Sequence, residues 1–147
     1  MMISIRRGQP EDAPKLFMLA SQYQTGREPI TRDEFTITLD NILRYREQET
    51  NVLFIAEIEG EVVGYSLMTV SRLLHAPGLT AHLQEIVVDK ESRKQGIGDR
   101  LMAANEHYCM GRGVRQLSAV TSHIGSFYNH RGFEPIGQHY RKVLEIG

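Results

Sequence analysis

The hydrophobic positions of this chain change their period along its length, and those changes lay out its elements. Met2-Ile3-Ser4-Ile5-Arg6 alternates and predicts an opening strand. Gln9-Pro10-Glu11-Asp12 is a turn, after which Ala13, Leu16, Phe17, Leu19 and Ala20 recur at helical spacing. Thr25-Gly26-Arg27-Glu28-Pro29 breaks that helix. Thr31 and Glu34 have the capping-box form and open a second helix, with Phe35, Leu39, Ile42, Leu43 and Arg46 in register. Strands are expected over Asn51 to Ile58 and Glu61 to Val70, joined by a tight turn at Glu59-Gly60. Pro77-Gly78 marks the stretch from Arg72 to Thr80 as a loop.

The rest of the chain is organised around Leu83-Gln84-Glu85-Ile86-Val87-Val88-Asp89, which ends in the apolar, β-branched run of a buried strand. Arg93-Lys94-Gln95-Gly96-Ile97-Gly98 turns from it into a helix expected from about Asp99 to Met110, ended by Gly111 or Gly113. Leu101, Met102, Asn105 and Tyr108 share one face of that helix. A strand over Val114 to Thr121 follows, then a short helix from Ile124 to Arg131 stopped by Gly132. Two closing strands are expected, Phe133 to Ile136 and Gln138 to Ile146.

Strand, glycine turn and helix make an anion site. Gly96 and Gly98 let the backbone curl and approach a ligand. The first amides of a helix have no partner within it, and its dipole is positive there. Arg93 and Lys94 add full charge. A nucleotide-hydrolase loop is excluded, because Asp99-Arg100 stands after Gly98 where Lys-Ser/Thr is required. A dinucleotide fingerprint is excluded, because no third glycine follows at the right spacing.

What fits is Arg93-x-x-Gly96-x-Gly98 after an apolar strand and an acidic linker. This resembles the acetyl-CoA-binding motif of the GNAT superfamily, the GCN5-related N-acetyltransferases. Phe127-Tyr128-x-x-x-Gly132-Phe133 is similar to a second signature of that family, and the order β-α-α-β-β-β-α-β-α-β-β is its layout. The resemblance implies an α/β (α+β) GNAT fold as a single domain over 1–147. It implies a mixed central sheet of six to seven strands flanked by about four helices.

It also implies acetyl-CoA as the acyl donor. The backbone of Ile86, Val87 and Val88 would bond the pantetheine arm. The amides of Arg93, Lys94, Gln95, Gly96, Ile97, Gly98 and Asp99 would cradle the pyrophosphate. A backbone amide on the same strand would polarise the acetyl carbonyl. Tyr128 takes the role of general acid toward the departing thiolate, since a phenol with a pKa of ~10 is fully protonated at neutral pH. Phe127 and Phe133 read as core aromatics. The sequence departs from the family where many members carry Asn seven residues before the tyrosine; Thr121 stands there instead.

An ammonium must lose a proton before it attacks. Glu85, on the organising strand among apolar neighbours, is the candidate base, directly or through water. The other readings of Glu85 are a pair with a nearby cation and a charge contact to the substrate ammonium. His75 and His82 lie close to the same strand and can relay a proton or sit as ordinary loop histidines. His107, His123, His130 and His139 are scattered, without partners at metal-ligand spacing, so no metal site is expected. Cys109 faces no recognisable base, and packing is its better reading.

For the acceptor, the family's variable segments fall at about Tyr23 to Ile30 and Arg72 to Thr80. They contribute Arg27, Glu28, Arg72 and His75 as candidate substrate contacts; the arginines suit a phosphate or carboxylate. The implied reaction is direct acetyl transfer to a primary amine of a small molecule through a ternary complex. A protein amine as acceptor, or a non-catalytic acyl-CoA sensor on the same fold, stays open.

Composition narrows the setting. The 147 residues are enough for one real core. With 17 basic and 18 acidic residues the net charge is −1, which gives no attraction to nucleic acid or acidic membranes. One cysteine allows no internal disulfide and suits a reducing, cytoplasmic setting. No secretory signal is expected at Met1 to Arg7, and no stretch reaches the ~20 apolar residues of a membrane span. Exposed strand edges near the C-terminal end make a homodimer plausible.

Overall fold

The computed structural model describes residues 2–22, 29–44, 50–121 and 126–144. Its centre is a five-stranded mixed sheet in the order β1-β2-β3-β4-β5: β1 Ile3–Arg7, β2 Asn51–Ile58, β3 Glu61–Ser71, β4 Leu79–Val88 and β5 Val114–Ala119. The first four strands run antiparallel to their neighbours. β5 is parallel to β4, so a crossover must join them. That crossover is α3, Ile97–Arg112. It packs on one face of the sheet through Leu101, Met102 and Cys109. The other face is covered by α1, Ala13–Ala20, and α2, Arg32–Arg44, which bury Leu16, Leu19 and Leu39 against Leu53, Ile55, Tyr65 and Val87. A short α4, Ser126–Asn129, follows β5.

Local signals explain most boundaries. The Thr31 amide donates to Glu34 Oε1 at 2.9 Å and the Glu34 amide to Thr31 Oγ1 at 3.2 Å, the reciprocal capping box at the start of α2. Glu59 and Gly60 both take positive φ, as a two-residue hairpin matching the strand twist requires. Asp12, buried, ties β1 and β2 to the start of α1. It accepts two bonds from the Arg6 guanidinium (2.9 and 2.7 Å) and one from the Gln9 amide (2.8 Å), while Arg6 Nε reaches Glu57 at 2.9 Å.

Three expectations are corrected. α3 begins at Ile97, two residues before Asp99, because Gly96 adopts a left-handed φ of 82° and starts the helix sooner. β4 begins at Leu79, inside the stretch expected as loop, because its first residues pair with both β3 and β5. Among the described residues the sheet has five strands, not six to seven. Among the described residues, 133–144 form no strand. Pro135 has no N–H to give a ladder and Gly137 no side chain to pack, while Ile136, Tyr140, Val143 and Leu144 stay exposed. Residues 145 and 146 of the last expected strand lie outside the described residues.

Candidate active site

The site follows from a parting of two strands. β4 and β5 pair from Leu79↔Val114 to Leu83↔Ala119, and there β5 ends while β4 runs on to Val88. The second half of β4 therefore presents an unpaired edge. Beside it lies a cleft of about 730 Å³. Ile86, Val87 and Val88 form one wall, Val120 and Thr121 stand across from them, and the start of α3 closes one end.

A second irregularity shapes the same strand. Leu67 pairs with Glu85 but Met68 with Leu83, so Gln84 is an extra residue, a β-bulge. Gln84 Nε2 donates to Thr69 Oγ1 at 3.1 Å, and Glu85, half-buried, accepts a bond from the Tyr65 hydroxyl at 2.6 Å. Both Gln84 and Glu85 line the cleft.

At the end near α3, the chain turns through the short helical turn Lys90–Ser92, capped by the Asp89 carboxylate accepting from the Glu91 amide at 3.3 Å. Lys94 has a φ of 66°, unusual for a residue with a side chain, and Gly96 follows at 82°. Among the described residues, the first amide after this turn to find a backbone partner is that of Arg100, to the Gly96 carbonyl at 3.1 Å. The amides of 93–99 are thus available to an anion, at the positive end of a sixteen-residue helix. Arg93, Lys94, Gly96, Ile97, Gly98 and Asp99 line the cleft, whereas Gln95 is exposed outside it. Arg93 Nε bonds back to the Val88 carbonyl at 3.3 Å.

α4 closes the opposite side. Tyr128 is half-buried between Phe127 and Phe133, edge-on to both with centroids 5.1 and 5.3 Å away, and it lines the cleft with Glu85. This supports core packing for Phe133, whereas Phe127 packs on the core and also lines the cleft. Gly132, at a φ of 85°, ends α4 with its amide on the Asn129 carbonyl, and the Phe133 amide returns to Tyr128. Arg131 pairs with Asp99 and stacks on Phe127, joining α4 to the first turn of α3.

The structure thus brings Tyr128, Glu85, the end of β4 and the glycine turn around one space. It does not bring in Arg72 and His75, which are exposed on the β3–β4 loop and line no part of the cleft. Arg27 and Glu28 lie outside the described residues. His82 lies off the cleft, its Nδ1 2.8 Å from Ser118 Oγ; burial, then the nearby His139, pushes its pKa down. Cys109 is buried with its Sγ 3.6 Å from Met68 Sδ, and burial, then Glu106, pushes its thiol pKa up. Among the described residues no three His, Cys, Asp or Glu side chains gather as a metal-ligand set, and no helix is long and apolar enough to cross a membrane.

Sequence reasoning missed Tyr65 and Gln22. Tyr65 reaches Glu85 only through the β3–β4 register. Gln22 lines the cleft and accepts the Lys90 amide at 3.2 Å, a contact across 68 positions that no local pattern marks.

Comparison with known proteins agrees with this architecture. Residues 49–135 match the family model of the acetyltransferase (GNAT) domain. The chain is 26% identical over 137 residues to an uncharacterized N-acetyltransferase, YhfO, of Bacillus subtilis (strain 168), covering 90% of each chain. Among solved structures it superposes on a transcriptional regulator from Bacillus halodurans C-125 with a TM-score of 0.84 at 19% identity, over 97% of this chain and 100% of that one. It superposes on glucosamine-6-phosphate N-acetyltransferase from Arabidopsis thaliana with a TM-score of 0.81 at 21% identity, over 99% and 100%. At these identities the two structures share the fold.

Proposed function

This chain belongs to the GNAT acetyltransferases and is an acyltransferase, and from that premise we propose that it transfers the acetyl group of acetyl-CoA directly to a primary amine of a small molecule. The observation that carries this reading is the convergence of Glu85, the open edge of β4, the amides before α3 and Tyr128 on one cleft. The residues fit the donor. Unpaired amides, Arg93 and Lys94 suit a pyrophosphate. The edge of β4 at Ile86 to Val88, where β5 no longer pairs, offers backbone groups to the amides of a pantetheine arm, the Val88 carbonyl being already shared with Arg93 Nε.

When bound, acetyl-CoA supplies an activated thioester. This chain's groups then divide the work. A β4 amide polarises the acyl oxygen where negative charge develops. Glu85 meets the acceptor ammonium and receives a proton from it, directly or through water. Tyr128 gives its hydroxyl proton to the departing thiol sulfur. Nitrogen gains the acyl carbon and gives up its second proton, while sulfur loses the acyl carbon and takes the phenol proton. The proton from nitrogen restores the phenol through solvent, and Glu85 passes its proton to water, so the products are an N-acetyl amine, free CoA and one proton. Cys109, buried in the core with its thiol protonated, has no part in the transfer.

A small acceptor is preferred because the carboxylate sits within the cleft, and because glucosamine-6-phosphate N-acetyltransferase, a sugar-phosphate enzyme by name, shares this fold. The test is thiol release from acetyl-CoA with a panel of small amines, amino sugars and amino acids. Release with one amine class is expected, lowered about 100-fold in Tyr128→Phe. No release with any of them, despite acetyl-CoA binding, overturns the small-amine reading in favour of a protein acceptor or an acyl-CoA sensor.

A further inference from the structure

We infer that Tyr65 is a positioning residue for the acceptor amine: its phenol holds Glu85 by one carboxylate oxygen so that the other faces the incoming nitrogen. The inference rests on the proposed role of Glu85.

The geometry comes from the bulge. Tyr65 pairs in register with Val87 and Leu67 with Glu85, so Tyr65 and Glu85 are diagonal neighbours on the face of the sheet covered by α1. The extra residue, Gln84, re-aims the strand there, as bulges beside active sites do. Tyr65 is only 5% exposed, its ring packed with Leu16, Leu19 and Val87. A ring packed into a core is a rigid donor. Its hydroxyl donates to Glu85 Oε1 at 2.6 Å, within the short range expected for a phenol and a carboxylate.

Glu85 itself has long, flexible reach and sits half-buried at the cleft wall. Among the described residues, Tyr65 is its one hydrogen-bond partner and no cation pairs with it. The ion-pair reading of Glu85 therefore finds no partner among those residues. Oε2 is left for a donor that is not part of the described chain, and an alkyl ammonium has three N–H bonds to offer. Without the phenol, Glu85 would sample several rotamers, and the fraction of time in the productive one would fall. With it, the carboxylate is set before the amine arrives.

A buried phenol also needs a partner for its own hydroxyl, so the experiment must separate positioning from mere satisfaction of Tyr65. Tyr65→Phe keeps the ring and removes the donor. Glu85→Asp keeps the charge and the phenol but shortens the reach, and it leaves the core untouched. Both are expected to lower kcat/KM for the amine about ten-fold with the KM for acetyl-CoA within two-fold of wild type. Tyr65→Phe in a Glu85→Gln background is expected to cost nothing further, because the phenol acts through the carboxylate. An undiminished Tyr65→Phe loss in that background, or wild-type amine kinetics in Tyr65→Phe, overturns the inference alone. Full activity in Glu85→Gln overturns the role of Glu85 and this inference together. A wild-type protein that releases no thiol with any amine overturns the proposed function first.

Discussion

Gly98 and Phe127 face each other across the joint between the start of α3 and α4: a Cβ built on Gly98 would lie 3.2 Å from Phe127 Cε1 and 3.5 Å from Cζ. The glycine turn and the tyrosine helix are therefore one packed unit. The lack of a side chain at Gly98 brings Phe127, and with it the neighbouring Tyr128, close to the amides that start α3. Gly98→Ala forces the Phe127 ring to give by a few tenths of an ångström. The expected result is a KM for acetyl-CoA raised about ten-fold, with a loss of stability of ~1 kcal/mol. Steady-state kinetics beside a denaturant titration check it. Unchanged KM would separate the turn from the donor.

Asp12 predicts a stability effect remote from the cleft. Its carboxylate is buried and takes both Arg6 N–H bonds and the Gln9 amide. The Arg6 guanidinium, with further help from the Gln9 amide, holds its pKa below the ordinary value of 3.8 against the opposing effect of burial. Asp12→Asn keeps the shape and loses the charge-assisted pair, at a cost of about 2 kcal/mol. The sign with pH follows from linkage. The depressed folded pKa means the contribution is complete above the unfolded value and is lost as pH falls through the folded one. Urea unfolding should show the gap between wild type and variant at pH 7 and a shrinking gap below about pH 4. A gap independent of pH would count against the ionic account.

How much of this was legible in the sequence depends on how local each feature is. The capping box at Thr31 and Glu34 involves residues three apart, and it is present. The Glu59-Gly60 hairpin and the glycine turn are equally local. Tyr128 and the Arg93 to Asp99 turn are legible because each motif is contiguous, and all of these residues but Gln95 line the one cleft. What escaped required pairing partners. The bulge at Gln84 exists only as a mismatch between two strands, so Tyr65 gave no sign of reaching Glu85. The parting of β4 from β5 depends on where β5 stops, and Val120 and Thr121 look as strand-like as the residues before them. The stretch after Phe133 carries scattered apolar residues, Ile136, Tyr140, Val143 and Leu144, that stay exposed, and without a ladder partner they make no strand.

His82 supplies a pH-dependent contribution of opposite chemical origin. Burial, and then the neighbouring His139, pushes its pKa below 6.5, while Ser118 holds its Nδ1 at 2.8 Å. The imidazole is therefore favoured neutral in the folded state, and the unfolded chain binds the proton first as pH falls. The sign is that stability is complete above about 6.5 and declines as pH drops through the lower folded value. Thermal midpoints measured from pH 7.5 to pH 5 should fall for wild type and fall less for His82→Gln. An equal fall in both would assign the acid sensitivity to other groups.

Cys109 separates direct transfer from a relay through an acyl-cysteine. A nucleophilic thiol works as thiolate, and such cysteines sit in exposed, electropositive surroundings. Cys109 lies on α3 against β3, 5% exposed, with Met68 beside its sulfur and Glu106 the charge that acts on it. Both burial and that carboxylate disfavour the thiolate, and the residue does not line the cleft. Cys109→Ala is expected to keep kcat within about two-fold while losing ~1–2 kcal/mol of stability to the small cavity left among Met68, Met102 and their neighbours. Kinetics measured well below the lowered thermal midpoint make the distinction clean. Loss of turnover in a variant that is still folded and still binds acetyl-CoA would replace direct attack with a covalent intermediate. Retained turnover supports direct attack of the amine on the thioester.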